Sequence, residues 1–279
     1  MSTENIGKAL GLLRADTATN IQTMLNSDNP DLNEAGKIEA RLRRKDAEHK
    51  ENVRNFFPSV ISKIKGGKAL EKISDNFNKL PESRKNSIAN KSLRLAECDK
   101  HIEISSIPAF ADSIERLHYL EDEPNLAELF EELLVSTIDS SQKETNHPAY
   151  VEVLKQINNQ EAKNLKLIFQ DHNTQLAIVN INLVVDKNGG YVNFYQYLLC
   201  PPYTSSITRK ELENWERLKL IDIRMDVHLT DDSEYKYAED EITEVNKTLT
   251  EPKKYELQKG ILSFTDFGKN FAKAVGIIK

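Results

Sequence analysis

Apolar residues recur along most of this 279-residue chain at the three-to-four spacing of one helical face, and beyond Gln175 the period shortens to that of strands. Ile6, Leu10 and Leu13 keep the helical spacing, although Gly7 and Gly11 weaken that first helix. "NSDNPDLN" (Asn26 to Asn33) reads as a loop. From Glu34, the pair Ile38 and Leu42 leads into "RRKDAEHKEN", a stretch of helix formers that should project into solvent on most sides. Val53, Phe56, Val60, Ile61 and Ile64 then form an apolar stripe. Pro58 is expected to kink or restart the helix within it, and Gly66-Gly67 to end it.

The middle of the chain is more regular. Phe110, Ile114 and Leu117 line one helix; Leu126, Leu129, Phe130, Leu133, Leu134 and Ile138 line the next, with Pro124 in its first turn. "SSQKETNHPAY" must turn the chain and start another helix. Pro148 suits that first turn and Asn146 or His147 can cap it, which makes His147 a structural residue with no ligand partner at metal or catalytic spacing. Tyr150, Val153, Leu154 and Ile157 continue the pattern, and Asn158 with Glu161 forms a capping box for a helix carrying Leu165 and Ile168. Helices this short need one another, because none is stable alone in water.

"LAIVNINLVV" and "YVNFYQYLL", joined by "DKNGG", predict a β-hairpin. A helix with Leu212, Trp215 and Leu218 inside follows, then a strand through Ile221 and Ile223 to Leu229, a strand over Ile261 to Thr265, and a last helix with Phe267, Phe271 and Val275. The predicted fold class is mainly α, with a C-terminal α+β winged-helix-like module containing the hairpin. Three regions are expected: a basic helical region over residues 1–100, an acidic helical bundle over 101–172, and the winged-helix-like part over 173–279.

Charge sharpens this division. Residues 1–100 carry 19 Lys and Arg against 14 Asp and Glu, whereas residues 101–159 carry 3 against 12, within a net charge of −6. Such segregation either folds the basic part onto the acidic part or offers it to an outside polyanion, and solvated or internally paired charge is the commoner case. Cys98 and Cys200 are too few for a disulfide framework and too far apart for a CxxC site. With no signal-peptide pattern and no apolar run of membrane-spanning length, a soluble cytoplasmic protein is expected.

Motifs for phosphate loops, zinc hydrolases, nucleophile elbows and dinucleotide folds are lacking, and no cofactor or metal is implied. Arg44 to His49, "RKDAEH", fits the loose Arg-to-His spacing of all-helical ribonucleases, in which the two act on a scissile phosphate; such a match arises readily by chance. Glu234-Tyr235-Lys236 looks like half of a nuclease motif but lacks its Pro-Asp partner and reads as surface. Candidate contacts to a nucleic-acid or protein partner are Arg41, Arg43, Arg44, Lys45, Lys50 and Arg54. Arg209, Lys210, Arg217 and Lys219 on the later helix are diluted by Glu211, Glu213 and Glu216, too acidic a set for a duplex reader. Val53 to Lys65, apolar on one face and basic on the other, suits a membrane surface as well as a core. A homo-oligomer is compatible with all of this.

"IPAFADSIERLHYLEDEPNLAELFEELLVSTIDSSQKETNHPAYVEVLKQINNQEAKNLKLI" (from Ile107), "LENWERLKLIDI" and "GILSFTDFGKNFAKAV" together resemble the abortive-infection alpha family of bacterial and phage-associated proteins. The resemblance spans about the last two thirds of the chain and lies in packing and capping residues. It implies a part in bacterial defence against phage, in which an infected cell shuts down or dies before progeny are released. It supplies no catalytic residues to carry over. Partner binding is the leading expectation, with an Arg44/His49 ribonuclease or a membrane-active effector using Val53 to Lys65 as alternatives.

Overall fold

The computed structural model describes residues 17–62, 67–97, 104–143, 145–170, 175–185, 190–200, 207–249 and 253–278. Its contacts divide the chain into two compact units, Met1–Ser59 and Val60–Lys279. The predicted first helix around Ile6, Leu10 and Leu13 lies outside the described residues.

In the first unit, α1 (Thr17–Leu25) turns into α2 (Pro30–Ser62). The loop is shorter than its polar composition predicts, because Asn29 Oδ1 accepts from the Asp31 amide (3.0 Å) and Pro30 is pre-set for a first turn, so the helix starts there. At Gly36 an added Cβ would sit 2.9 Å from Met24 Cβ and 3.0 Å from the Leu25 amide, so this close helix crossing requires glycine. Pro58 does not end α2, which continues to Ser62; an interior proline removes one backbone hydrogen bond, and a long helix absorbs it.

The second unit opens with α3 (Gly67–Lys79) and α4 (Glu82–Glu97), followed by α5 (Ile107–Leu117), α6 (Pro124–Ile138), α7 (Ala149–Leu154) and α8 (Asn159–Gln170). The predicted apolar faces are inside: Phe110, Ile114, Leu126, Leu134, Leu154, Leu165 and Ile168 are fully buried. Each such side chain contributes roughly 1.5–3 kcal/mol on leaving water. Helix α6 is central, packing against α4, α5, α7 and α8, which explains why its buried positions run almost all round it.

Charge helps to seat the basic helices on the acidic ones. Glu131 of α6, 5% exposed, accepts from Arg84 Nη1 (2.8 Å) and Ser87 Oγ (2.6 Å) of α4, and pairs with Lys91 Nζ at 3.1 Å. Lys91 also reaches Glu132 (3.1 Å), and at the surface Lys72 of α3 meets Glu115 of α5 at 3.0 Å. For Lys72, Arg84 and Lys91, then, the segregated charge is matched internally. His147 starts α7, its Nδ1 accepting from the Ala149 amide (3.1 Å) and its ring lying 6.1 Å from Tyr150 and from Phe267. Asn146 instead turns back to α6, where it hydrogen-bonds the Ser136 hydroxyl and carbonyl.

Strands β1 (Gln175–Val184), β2 (Tyr191–Cys200), β3 (Ile221–Arg224) and β4 (Tyr255–Phe264) form one antiparallel sheet in the order β2-β1-β4-β3, with α9 (Arg209–Arg217) before β3, α10 (Lys236–Lys247) before β4 and α11 (Asp266–Ala274) after it. The predicted hairpin strands are present, and Leu212 and Trp215 are buried as expected. The module has more sheet than its sequence indicates: β4 begins at Tyr255 and pairs along nearly all of β1, while β3 stops at Arg224. Phe264 stacks on Phe169 of α8 at 4.3 Å. On the opposite face Ala177, Val179, Ile181 and Cys200 pack with Tyr235 and Ala238. Tyr235, read from sequence as surface, is fully buried: its hydroxyl donates to the Gly260 carbonyl (2.9 Å) and accepts from the Leu229 amide (2.8 Å).

Candidate functional site

Two irregularities in β2 build the most distinctive surface of the second unit. Pairing with β1 shifts register between Val179 and Ile181 and again between Ile181 and Asn182. Tyr197, at the first shift, holds φ 59°, and its amide donates to Asn180 Oδ1 (3.1 Å). Consecutive residues of a regular strand face opposite sides, yet the bulges bring both Phe194 and Tyr195 to the α10 side.

There, with Tyr237 of α10 and Tyr255 of β4, they line a cleft of ≈ 280 Å³. Ile181 and Leu198 from the sheet and Ile242 from α10 add its aliphatic lining, and Glu241 of α10 is the one charged residue among the described residues that line it. The rings of Phe194 and Tyr255 lie 5.2 Å apart at 60°. Burial, then the neighbouring Glu241 carboxylate, pushes the Tyr237 hydroxyl above its ordinary pKa. Beside the cleft β2 is an edge strand, and Tyr191, Val192 and Phe194 are 60%, 56% and 52% exposed.

A second, polar site lies where α8 meets α9, and it is reciprocal. The capping residues are Asn158 and Thr208. Glu161 Oε2 accepts from the Asn158 amide (2.9 Å) and Glu211 Oε2 from the Thr208 amide (2.6 Å). Each glutamate's other oxygen accepts from an asparagine of the opposite helix: Asn214 to Glu161 and Asn164 to Glu211, both 2.8 Å. Both glutamates are buried, 6% and 8% exposed, with their charges at helix N-termini. This arrangement joins the bundle to the sheet module and leaves no reactive group free.

The residues predicted as contacts lie on α2, in the first unit. Arg41 and Lys45 are exposed on α2; Arg43 pairs with Glu39 (3.3 Å) and Arg44 with Glu48 (2.9 Å), while the side chains of His49, Lys50 and Arg54 lie outside the described residues. So does most of the Val53 to Lys65 stripe, of which Val60 is fully buried. On α9, Arg209 pairs with Glu213 (2.6 Å) and Arg217 donates to Gln156 and Asn214. Among the described residues no group of three or more His, Cys, Asp or Glu could hold a metal ion, and no helix is long and apolar enough to cross a membrane.

Sequence reasoning took "YVNFYQYLL" as a strand and missed the cleft. The available signal was Phe194-Tyr195, two adjacent aromatics that only a bulge places on one face.

Comparison with curated proteins and with solved structures gives no match. The profile of one family, described as abortive infection alpha, matches residues 76–275. The match takes in α4 with Arg84 and Lys91, a helix within the first hundred residues, together with α5 to α8, the sheet, α9, α10 and all of α11. With most of its length matched, this chain belongs to the abortive infection alpha family.

Proposed function

We propose that the protein acts in the cytoplasm in abortive infection against phage by binding a protein partner, with its C-terminal winged-helix-like module as the contact scaffold. The observation that carries this reading is the edge strand β2, whose outer side presents Tyr191, Val192 and Phe194 more than half exposed. An unpaired strand edge bearing apolar side chains is a template for a partner's strand or apolar surface. A polyanion is disfavoured there, because the described residues lining the adjoining cleft include a carboxylate and no cation, whereas nucleic-acid binding rests on displaced counterions at basic groups. Of the basic side chains of α9, Arg209 is engaged with Glu213, and Arg217 with Gln156 and Asn214.

The test is phage challenge of bacteria expressing the protein, at low and high multiplicity. Protection at low multiplicity with collapse of the culture at high multiplicity is expected. Val192→Lys, which charges the edge without touching the core, should abolish both effects in a folded protein. Retention of protection by Val192→Lys sinks the reading of β2 as the contact.

A further inference from the structure

The cleft beside β2 combines two features that an ordinary apolar depression lacks. Four aromatic rings, from Phe194, Tyr195, Tyr237 and Tyr255, gather round it, and among the described residues its lining holds one carboxylate, Glu241, and no basic residue to neutralise it. Tyr237 and Glu241 stand one helical turn apart on α10 and both line the cleft, which sets the charge beside the ring cluster. A purely apolar ligand would leave Glu241 unanswered, and an anion would be repelled by it. A hard metal ion needs several oxygen ligands, where the lining offers one carboxylate. An organic cation answers both features, since ring faces attract positive charge and a weakly hydrated ammonium is readily desolvated. The fold already makes such a contact elsewhere on this sheet, with Lys259 Nζ 5.0 Å from the centre of the Tyr235 ring.

We propose that this cleft is an aromatic cage for a small organic cation, an alkylated or quaternary ammonium ion, with Glu241 as its counter-charge. At ≈ 280 Å³ the space sits near the lower end of ligand pockets, which run from roughly 300 Å³ upward, and so suits an ion of metabolite size. The inference concerns the cleft alone and stands or falls apart from the partner reading, which is scored by phage protection.

The experiment titrates benzyltrimethylammonium and its uncharged carbon isostere, neopentylbenzene, into the full chain, followed by protein-observed NMR. Saturable binding of the cation is expected, with the isostere about tenfold weaker or worse. Glu241→Gln, at an exposed position that leaves the fold intact, and Tyr195→Leu should each weaken the cation by about tenfold without changing the melting temperature appreciably. Equal binding of cation and isostere would reduce the cleft to an apolar depression and overturn the proposal. So would an absence of saturable cation binding, or binding that both variants leave unchanged.

Discussion

Replacing Glu131 by glutamine tests whether basic α4 is held on acidic α6 by buried charge. The substitution keeps the size of the side chain and removes its charge, leaving the guanidinium of Arg84 and the ammonium of Lys91 in place with side chains only 15% and 11% exposed. Lys91 retains Glu132 at 3.1 Å, but Arg84 keeps only neutral acceptors, among them the Leu120 carbonyl at 3.2 Å. Breaking one partner of a buried pair costs about 3–5 kcal/mol, and the partial rescue by Glu132 places the loss near the lower end. For a unit of this size that is a fall in melting temperature of about 6–12 °C. The exposed pair Lys72–Glu115, with side chains 68% and 48% exposed, provides the contrast. Lys72→Met should cost under about 1 kcal/mol and become silent in high salt. The loss in Glu131→Gln should persist in high salt, because buried charges are poorly screened. Thermal unfolding at low and high salt reads both variants. A Glu131→Gln protein as stable as the parent, or one whose defect disappears in salt, would refute the view that this network is buried and integral. Replacing Arg84, Lys91 and Glu131 together by apolar residues should recover most of the stability, since the desolvation penalty is removed with the pair.

Asn164→Ala strips the buried amide that Glu211 accepts from and should cost about 2 kcal/mol in urea unfolding; paired with Asn214→Ala it should show whether the two halves of the reciprocal cap act as one network. Gly268→Ala places a Cβ 2.0 Å from the Leu220 carbonyl oxygen, at the turn where Thr265 caps α11, and should destabilise by about 3 kcal/mol; wild-type stability would show that the turn shifts freely. Burial pushes the Cys200 thiol from 9.0 up to about 11, so in a Cys98→Ser background iodoacetamide at mildly alkaline pH should label the protein only after unfolding. Below pH 9 both folded and unfolded thiols are protonated and the group is neutral for stability; between pH 9 and about 11 only the unfolded thiol ionises, so stability should fall across that window.

The helical part was legible because its information is local. Leu126 to Ile138 repeat at helical spacing, Asn158 and Glu161 announce a capping box three residues apart, and Pro148 marks a start; each expectation is met in α6, α7 and α8. All four strands were legible at least in part, but their pairing was legible only where a turn links neighbours, as in β1 and β2. The long partnership of β4 with β1 joins residues some eighty positions apart, from Gln175↔Ser263 to Leu183↔Tyr255, and leaves no local signature. Helix α10 was missed although Ala238, Ile242 and Val245 keep helical spacing, because that stripe is short, lies in an otherwise polar stretch and has Ala238 as its one fully buried position. The cleft shared the same fate, being assembled from β1, β2, α10 and β4.

The charge layout and the aromatic edge together narrow what a partner can be. Had the basic helices α3 and α4 faced solvent unpaired, the excess of Lys and Arg in the first hundred residues would argue for a polyanion. Instead Lys72, Arg84 and Lys91 meet Glu115, Glu131 and Glu132, so much of that excess is answered within the second unit. Among the described residues of this unit, the proposed contact region presents an edge strand, exposed aromatics and one carboxylate in an aromatic cleft. Those features favour apolar and cationic groups over phosphates, which is why a strand-edge substitution such as Val192→Lys discriminates more sharply than neutralising arginines on α2.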